Sequence, residues 1–152
     1  MSFRASLNLG AVGEMLYHQA HCGTLNRTNG RAGDFVNRET GDIVELKTDY
    51  YPMDKTPNFF FERFSDGDKK SPGGPWQALG HGCKTFVYFF VANMTTFTFD
   101  TAQLVAHLDS IEHTLEPFKV GNSTWTTIGY RVPREVLAPL YETMTLTVTV
   151  SK

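Results

Sequence analysis

The stretch GDFVNRETGDIVELKTD, residues 33 to 49, places two carboxylates and an amine where a hairpin would bring them together. With Arg38, Glu39, Thr40 and Gly41 as the connecting loop, Asn37 faces Asp42, Val36 faces Ile43 and Asp34 faces Glu45. Side chains alternate along a strand, so Glu45 and Lys47 project from one face while Val44 and Leu46 project from the other. Directly opposed like charges destabilise a sheet unless something compensates them. A divalent cation would do so. Hard carboxylate oxygens suit Mg²⁺, with Mn²⁺ as a substitute, and such an ion fills the rest of its shell with water and phosphate oxygens. Lys47 would then stand beside a bound phosphate, able to orient a water or to stabilise developing negative charge. The competing reading is an ordinary amphipathic hairpin whose wet face carries these charges, the lysine neutralising one acid.

Such a hairpin needs elements to hold it. Residues 8 to 21 predict a first helix with Ser6 or Asn8 as its N-cap, Leu9, Val12, Leu16 and Ala20 as its buried stripe, and Glu14, His18 and His21 on a polar face. Strands are expected near 33 to 37 and 42 to 50, and again at NFFFERF (58 to 64). SDGDKKSPGGP (65 to 75) has the composition of a loop, followed by a short helix in WQALGHGCKT. KTFVYFFVA (84 to 92) is nearly continuous in apolar residues, which suggests a central strand covered on both faces. MTTFTFD (94 to 100) alternates as a strand, and TAQLVAHLDSI (101 to 111) fits a helix capped by Asp100 or Thr101. WTTIGYRV predicts a strand, PREVLAPLY a short helix and TMTLTVTV a final strand, either an edge that pairs with a second subunit or an ordinary half-buried one. The order argues for an α/β fold, a mixed central sheet flanked by helices, in a single domain over residues 1 to 152.

A helix bearing Glu14, then Asp34, then Glu45-Leu46-Lys47 on the next strand resembles the PD-(D/E)XK nuclease superfamily, which includes restriction enzymes and Holliday junction resolvases. NFFFERFSD, GGPW and FVYFFV are similar to small phage-type members. The resemblance covers residues 8 to 111 and implies a restriction-endonuclease-like core. It implies a Mg²⁺-dependent deoxyribonuclease, in which Asp34, Glu45 and the Leu46 carbonyl hold the metal and Lys47 is the catalytic amine. Glu14 and Glu62 would join or tune the acidic cluster. Gln77, Arg31, Arg63 and Lys84 are candidates for holding the phosphate or the substrate, and Trp76 either stacks on a base or folds back onto the core. Gly33 stands where the family's proline would be. DNA, duplex or branched, is the expected partner, and cutting both strands of a duplex with so small a chain implies a homodimer or higher homo-oligomer. The alternative is a non-catalytic nucleic-acid-binding or structural phage protein.

The bulk composition is compatible with either. A net charge of −2 supplies no global attraction to phosphate, although Arg27, Arg38, Lys47, Lys55 and their neighbours concentrate cations between residues 27 and 84. With 41% hydrophobic residues the chain is too apolar for disorder, and its longest apolar runs are too short to span a bilayer. MSFRASLNLG carries no apolar segment followed by a small-residue cleavage site, so a cytoplasmic setting is expected, with Cys22 and Cys83 as thiols. The spacing of His18, His21, Cys22, His81 and Cys83 is not that of a zinc finger.

Overall fold

The computed structural model describes residues 3–28, 33–121 and 126–147, with backbone alone for 3–9. Helix α1 (Phe3–His21) leads into strands β1 (Leu25–Arg27), β2 (Phe35–Asn37) and β3 (Ile43–Asp49). Strand β4 (Asn58–Asp66), strand β5 (Ser71–Pro72) and helix α2 (Gly74–Gly80) follow, then β6 (Thr85–Phe90), β7 (Thr95–Asp100) and helix α3 (Thr101–Ile111). The chain continues through β8 (Pro117–Gly121) and β9 (Thr126–Pro133), a 3₁₀ segment (Arg134–Leu140) and β10 (Tyr141–Thr145).

Among the described residues these strands form a six-stranded sheet, β1-β2-β3-β6-β7-β10, and a four-stranded sheet, β5-β4-β9-β8. The first sheet is mixed: β3 and β6 run parallel, Glu45 beside Phe86 and Lys47 beside Tyr88, and the remaining pairs are antiparallel. A parallel pair cannot be joined by a tight turn, so the chain between β3 and β6 must cross over one face of the sheet. That crossover carries β4, β5 and α2, and so determines what lies above Glu45 and Lys47.

The apolar run of β6 fulfils the expectation of a doubly covered strand. Phe86, Tyr88 and Phe90 enter a core shared with Phe59 and Phe61 of β4, Phe97 and Phe99 of β7, and Leu104 and Leu108 of α3. Val87 and Phe89 face the other way, into a second core with Tyr17 of α1, Phe35, Val44 and Leu46. Aromatic rings dominate the first core. Phe59 alone meets Tyr88 at 4.9 Å and Phe97 at 5.1 Å between centroids, tilted and edge-on as ring quadrupoles prefer.

Several local expectations differ from the fold. Helix α1 begins at Phe3, so Ser6 and Asn8 lie inside it. Its buried face carries Gly13 and Tyr17, whereas Val12 is 43% exposed and Ala20 is also exposed. The rotation follows from the aromatic contact: Tyr17 packs on Phe35 at 5.3 Å, and the Gly13 N–H donates to the Tyr50 hydroxyl at 3.0 Å. Strand β4 belongs to the second sheet, and residues 65 to 75 form a hairpin with β5 where a loop was expected. Helix α2 starts at Gly74 with Pro75 in its first turn, where a missing N–H costs nothing. Strands β1 and β8 have no apolar run to announce them. Asp100 caps α3 by accepting from the Gln103 N–H at 3.0 Å. The final strand sits at 141–145, at the sheet edge beside β7, and residues 148–150 of its expected span lie outside the described residues. Among the described residues no helix is long and apolar enough to cross a membrane.

Candidate active site

The hairpin register is the one the loop length requires: Val36 pairs with Ile43 and Phe35 with Val44, which carries Asp34 opposite Glu45. Asp34 lies just before the start of β2 and is held by its backbone on both sides. Its N–H donates to the Val44 carbonyl at 2.9 Å, and its own carbonyl accepts from the Thr28 N–H at 3.1 Å. Its carboxylate accepts from the Leu46 N–H at 2.8 Å. Gly33 precedes it in a space closed by Ile43 and Cys83, where an added Cβ would meet the Ile43 side chain. A proline here would displace that side chain, which accounts for the glycine at this position.

Strand alternation buries Val44 and Leu46 and leaves Ile43, Glu45, Lys47 and Asp49 on the opposite face. The two carboxyl groups perturb each other: Asp34 helps to raise Glu45, and Glu45 helps to lower Asp34. Burial first, then the charges of Asp34 and Glu14, push Glu45 up to about 8. Asp34 is also raised by burial, against the opposing pull of the Leu46 N–H, the Glu45 carboxyl and Arg27. Glu14 approaches from α1. Burial and the Asp34 charge raise it, and Arg27, whose guanidinium lies 3.7 Å from its carboxylate, partly offsets them.

The other half of the site comes from the crossover. Glu45, Leu46 and Lys47 line a cavity of about 110 Å³ together with Phe60, Phe61 and Glu62 of β4, Gly74 and Gln77 of α2, and Phe86. The approach of α2 to β4 depends on glycine: Gly74 has φ +46°, and a Cβ there would stand 2.6 Å from the Glu62 carbonyl oxygen. Glu62 and Gln77 thus reach the Glu45–Lys47 face from elements distant in sequence. Lys47 is half-buried and has no ion-pair partner among the described residues.

Other candidates are engaged elsewhere. Arg63 donates to Glu112 at 2.8 Å and lies over the rings of Phe64 and Trp76, at 4.5 and 4.7 Å. Trp76 donates from its indole to Asp109 at 2.9 Å and packs edge-on against Tyr130, turned back onto the protein. Arg63, a candidate for the substrate, is held by the Glu112 carboxylate, which also accepts from the Tyr130 hydroxyl, and neither Arg63 nor Trp76 lines the cavity. Lys84 lies 4.0 Å from Asp42 on the hairpin and does not line the cavity. Arg31 lies outside the described residues. His18 and His21 bond backbone carbonyls of Leu25 and Tyr17.

Sequence reasoning did not place Cys83 here. Its buried thiol is pushed up to about 11 by burial and then by the charges of Glu45 and Asp34, so it stays protonated beside them. Nothing local marks it, because its neighbours come from the hairpin across the parallel pairing.

Compared with known proteins, the chain matches no family model, no curated protein and no solved structure.

The residues fit a small hard cation. The Asp34 charge helps to raise Glu45, and an ion bound at the pair would displace the Glu45 proton and offset that repulsion. Among the described residues no third histidine, cysteine or acidic side chain completes a ligand set, so water and substrate oxygens would supply the remainder.

Proposed function

We propose that this chain is a Mg²⁺-dependent deoxyribonuclease with a restriction-endonuclease-like core, hydrolysing phosphodiester bonds through Asp34, Glu45 and Lys47. The observation that supports it best is the convergence of the Asp34–Glu45 carboxyl pair with Lys47, Glu62 and Gln77, which three different parts of the chain bring to one face.

Asp34 and Glu45 would hold the metal, with the Leu46 carbonyl beside them. A bound Mg²⁺ lowers the pKa of a coordinated water and neutralises charge on a phosphoryl oxygen. The protein's own groups do the rest. Leu46 fixes the rotamer of Asp34 through its N–H, so one carboxylate is oriented before any ligand arrives. Lys47, two residues from Glu45 on the same face, places its ammonium where it can hold the attacking water or meet negative charge developing on the phosphate. Glu62 and Gln77 close the opposite wall, and Gln77 can donate to a phosphate oxygen. Glu14, tied to Arg27, keeps the local field negative and so favours a cation at the pair. A homodimer would set two such sites against opposite strands of a duplex.

Incubation with linear, circular, single-stranded and four-way-junction DNA tests the reading. Fragments should form with Mg²⁺ or Mn²⁺ and not with EDTA, and Lys47→Ala should form none. Equal cleavage by Lys47→Ala, or none by the wild type with either ion on any substrate, would reject it.

A further inference from the structure

Phe60 lines two cavities at once. On one side it walls the small cavity that holds Glu45, Lys47 and Glu62; on the other it opens onto a groove of about 570 Å³, a size within the roughly 300–1,000 Å³ of ligand sites. The groove lies on the outer face of the four-stranded sheet. Alternation along β4 sends Phe59 and Phe61 into the core and leaves Phe60 and Glu62 on the outside. The Phe60 ring lies over Gly129, in the space a side chain there would need, and meets Phe118 of β8 edge-on at 6.4 Å. Phe118 is 40% exposed, Val120 42% and Tyr51 56%, an unusual concentration of uncovered apolar and aromatic surface along one groove.

Two of the three charged side chains that line the groove are cationic. The Arg131 guanidinium lies over the Phe118 ring at 3.9 Å, and Lys55 lines the same wall. Neither is in an ion pair among the described residues. Asp49, the acid in the lining, keeps its charge, but its oxygens are turned to the Tyr51 N–H at 2.9 Å and the Tyr88 hydroxyl. Partly exposed aromatic rings, one of them backed by a guanidinium, beside cations outside any ion pair are what a single nucleic-acid strand needs, bases against rings and phosphates against cations. A duplex hides its base faces, and an acidic peptide offers charge without flat faces.

We propose that this groove binds a single-stranded DNA segment, its bases against Phe118 and Phe60 and its phosphates toward Lys55 and Arg131, and leads the strand past Phe60 to the Glu45–Lys47 cavity. The inference rests on the nuclease reading for the chemistry at that end, while the binding itself is measured without it.

Fluorescence anisotropy with a labelled twelve-nucleotide oligo(dT), in EDTA so that nothing is cut, gives the test. Wild-type protein should bind oligo(dT) at least about fivefold more tightly than a hairpin duplex, and the double variant Phe118→Ala, Arg131→Ala should weaken oligo(dT) binding at least about tenfold. Phe118→Trp keeps an aromatic ring and adds a reporter, whose emission should be quenched as oligo(dT) is added. A double variant within about twofold of wild type, equal affinity for duplex, or an unquenched Phe118→Trp would each overturn the proposal. Metal-dependent cleavage with no groove-dependent binding would sink the groove and leave the nuclease reading standing. Groove-dependent binding without cleavage under any condition would do the reverse.

Discussion

Asp34 stands opposite Glu45 across the β2–β3 hairpin, and its charge, after burial, helps to push the Glu45 carboxyl up to about 8. Two acids that face each other across a hairpin repel, and a proton on Glu45 relieves that repulsion. A cation bound at the pair, as proposed, would compete with that proton.

Stability of the metal-free protein should fall as pH rises. Glu45 is lifted from 4.5 to about 8 on folding, so between those values the folded state keeps a proton that the unfolded chain has released. Stability is then fully present below the lower value and declines up to the higher, by on the order of 2 kcal/mol after screening at this half-buried site. Urea melts from pH 4.5 to 9 in EDTA should trace the decline, and Glu45→Gln should flatten it. A wild-type profile as flat as the variant's would contradict the proton on Glu45.

Divalent ions should stabilise more at high pH than at low. Binding at the pair must expel the Glu45 proton, so the rise in Tm with millimolar Mn²⁺ should be larger at pH 8.5 than at about pH 6. Asp34→Asn should remove most of that rise at both. A shift independent of pH, or retained in Asp34→Asn, would place the ion elsewhere.

Lys47→Ala should lower cleavage by about 100- to 1,000-fold, the scale of removing one group that meets transition-state charge. Its half-buried side chain has no ion-pair partner among the described residues, so Tm should move little. A large loss of Tm would show that the amine is structural.

Gly74→Ala should destabilise by about 2 kcal/mol, through left-handed strain and collision with the Glu62 carbonyl, lowering Tm by roughly 4–8 °C. Because that contact seats Glu62 in the cavity, cleavage should fall further than the loss of folded protein accounts for, as measured by activity per folded molecule below the transition.

Arg63→Ala should cost about 1–2 kcal/mol by freeing Glu112 and two aromatic faces. DNA affinity in EDTA should stay within about twofold of wild type, since the guanidinium is spent inside the fold. A strong loss of affinity would return Arg63 to the substrate.

Legibility followed distance along the chain. The Asp34–Glu45 register was readable because the loop length sets which residues face each other, and the Glu45–Lys47 face because strand period two leaves no other arrangement. Asp100 as a cap and the two-sided burial of β6 were readable for similar local reasons. The burial of Tyr17 in place of Val12 was not, since both fit a helical stripe and only the partner Phe35 chooses between them. Nor was the fate of Trp76 and Arg63, whose partners Asp109 and Glu112 lie on and just after α3.

What the amino-acid order determined by itself is a hairpin with two acids and a lysine on one face, because turn length and alternation act within a few residues. Whether that face lies open or is covered was decided by the parallel pairing of β3 with β6. A parallel neighbour demands a crossover, and this crossover lays β4 and α2 over the charged face, bringing Glu62, Gln77 and Phe60 to Glu45. That choice depends on how aromatic cores pack between sheets, a free energy spread over the whole chain and carried by no single segment of it.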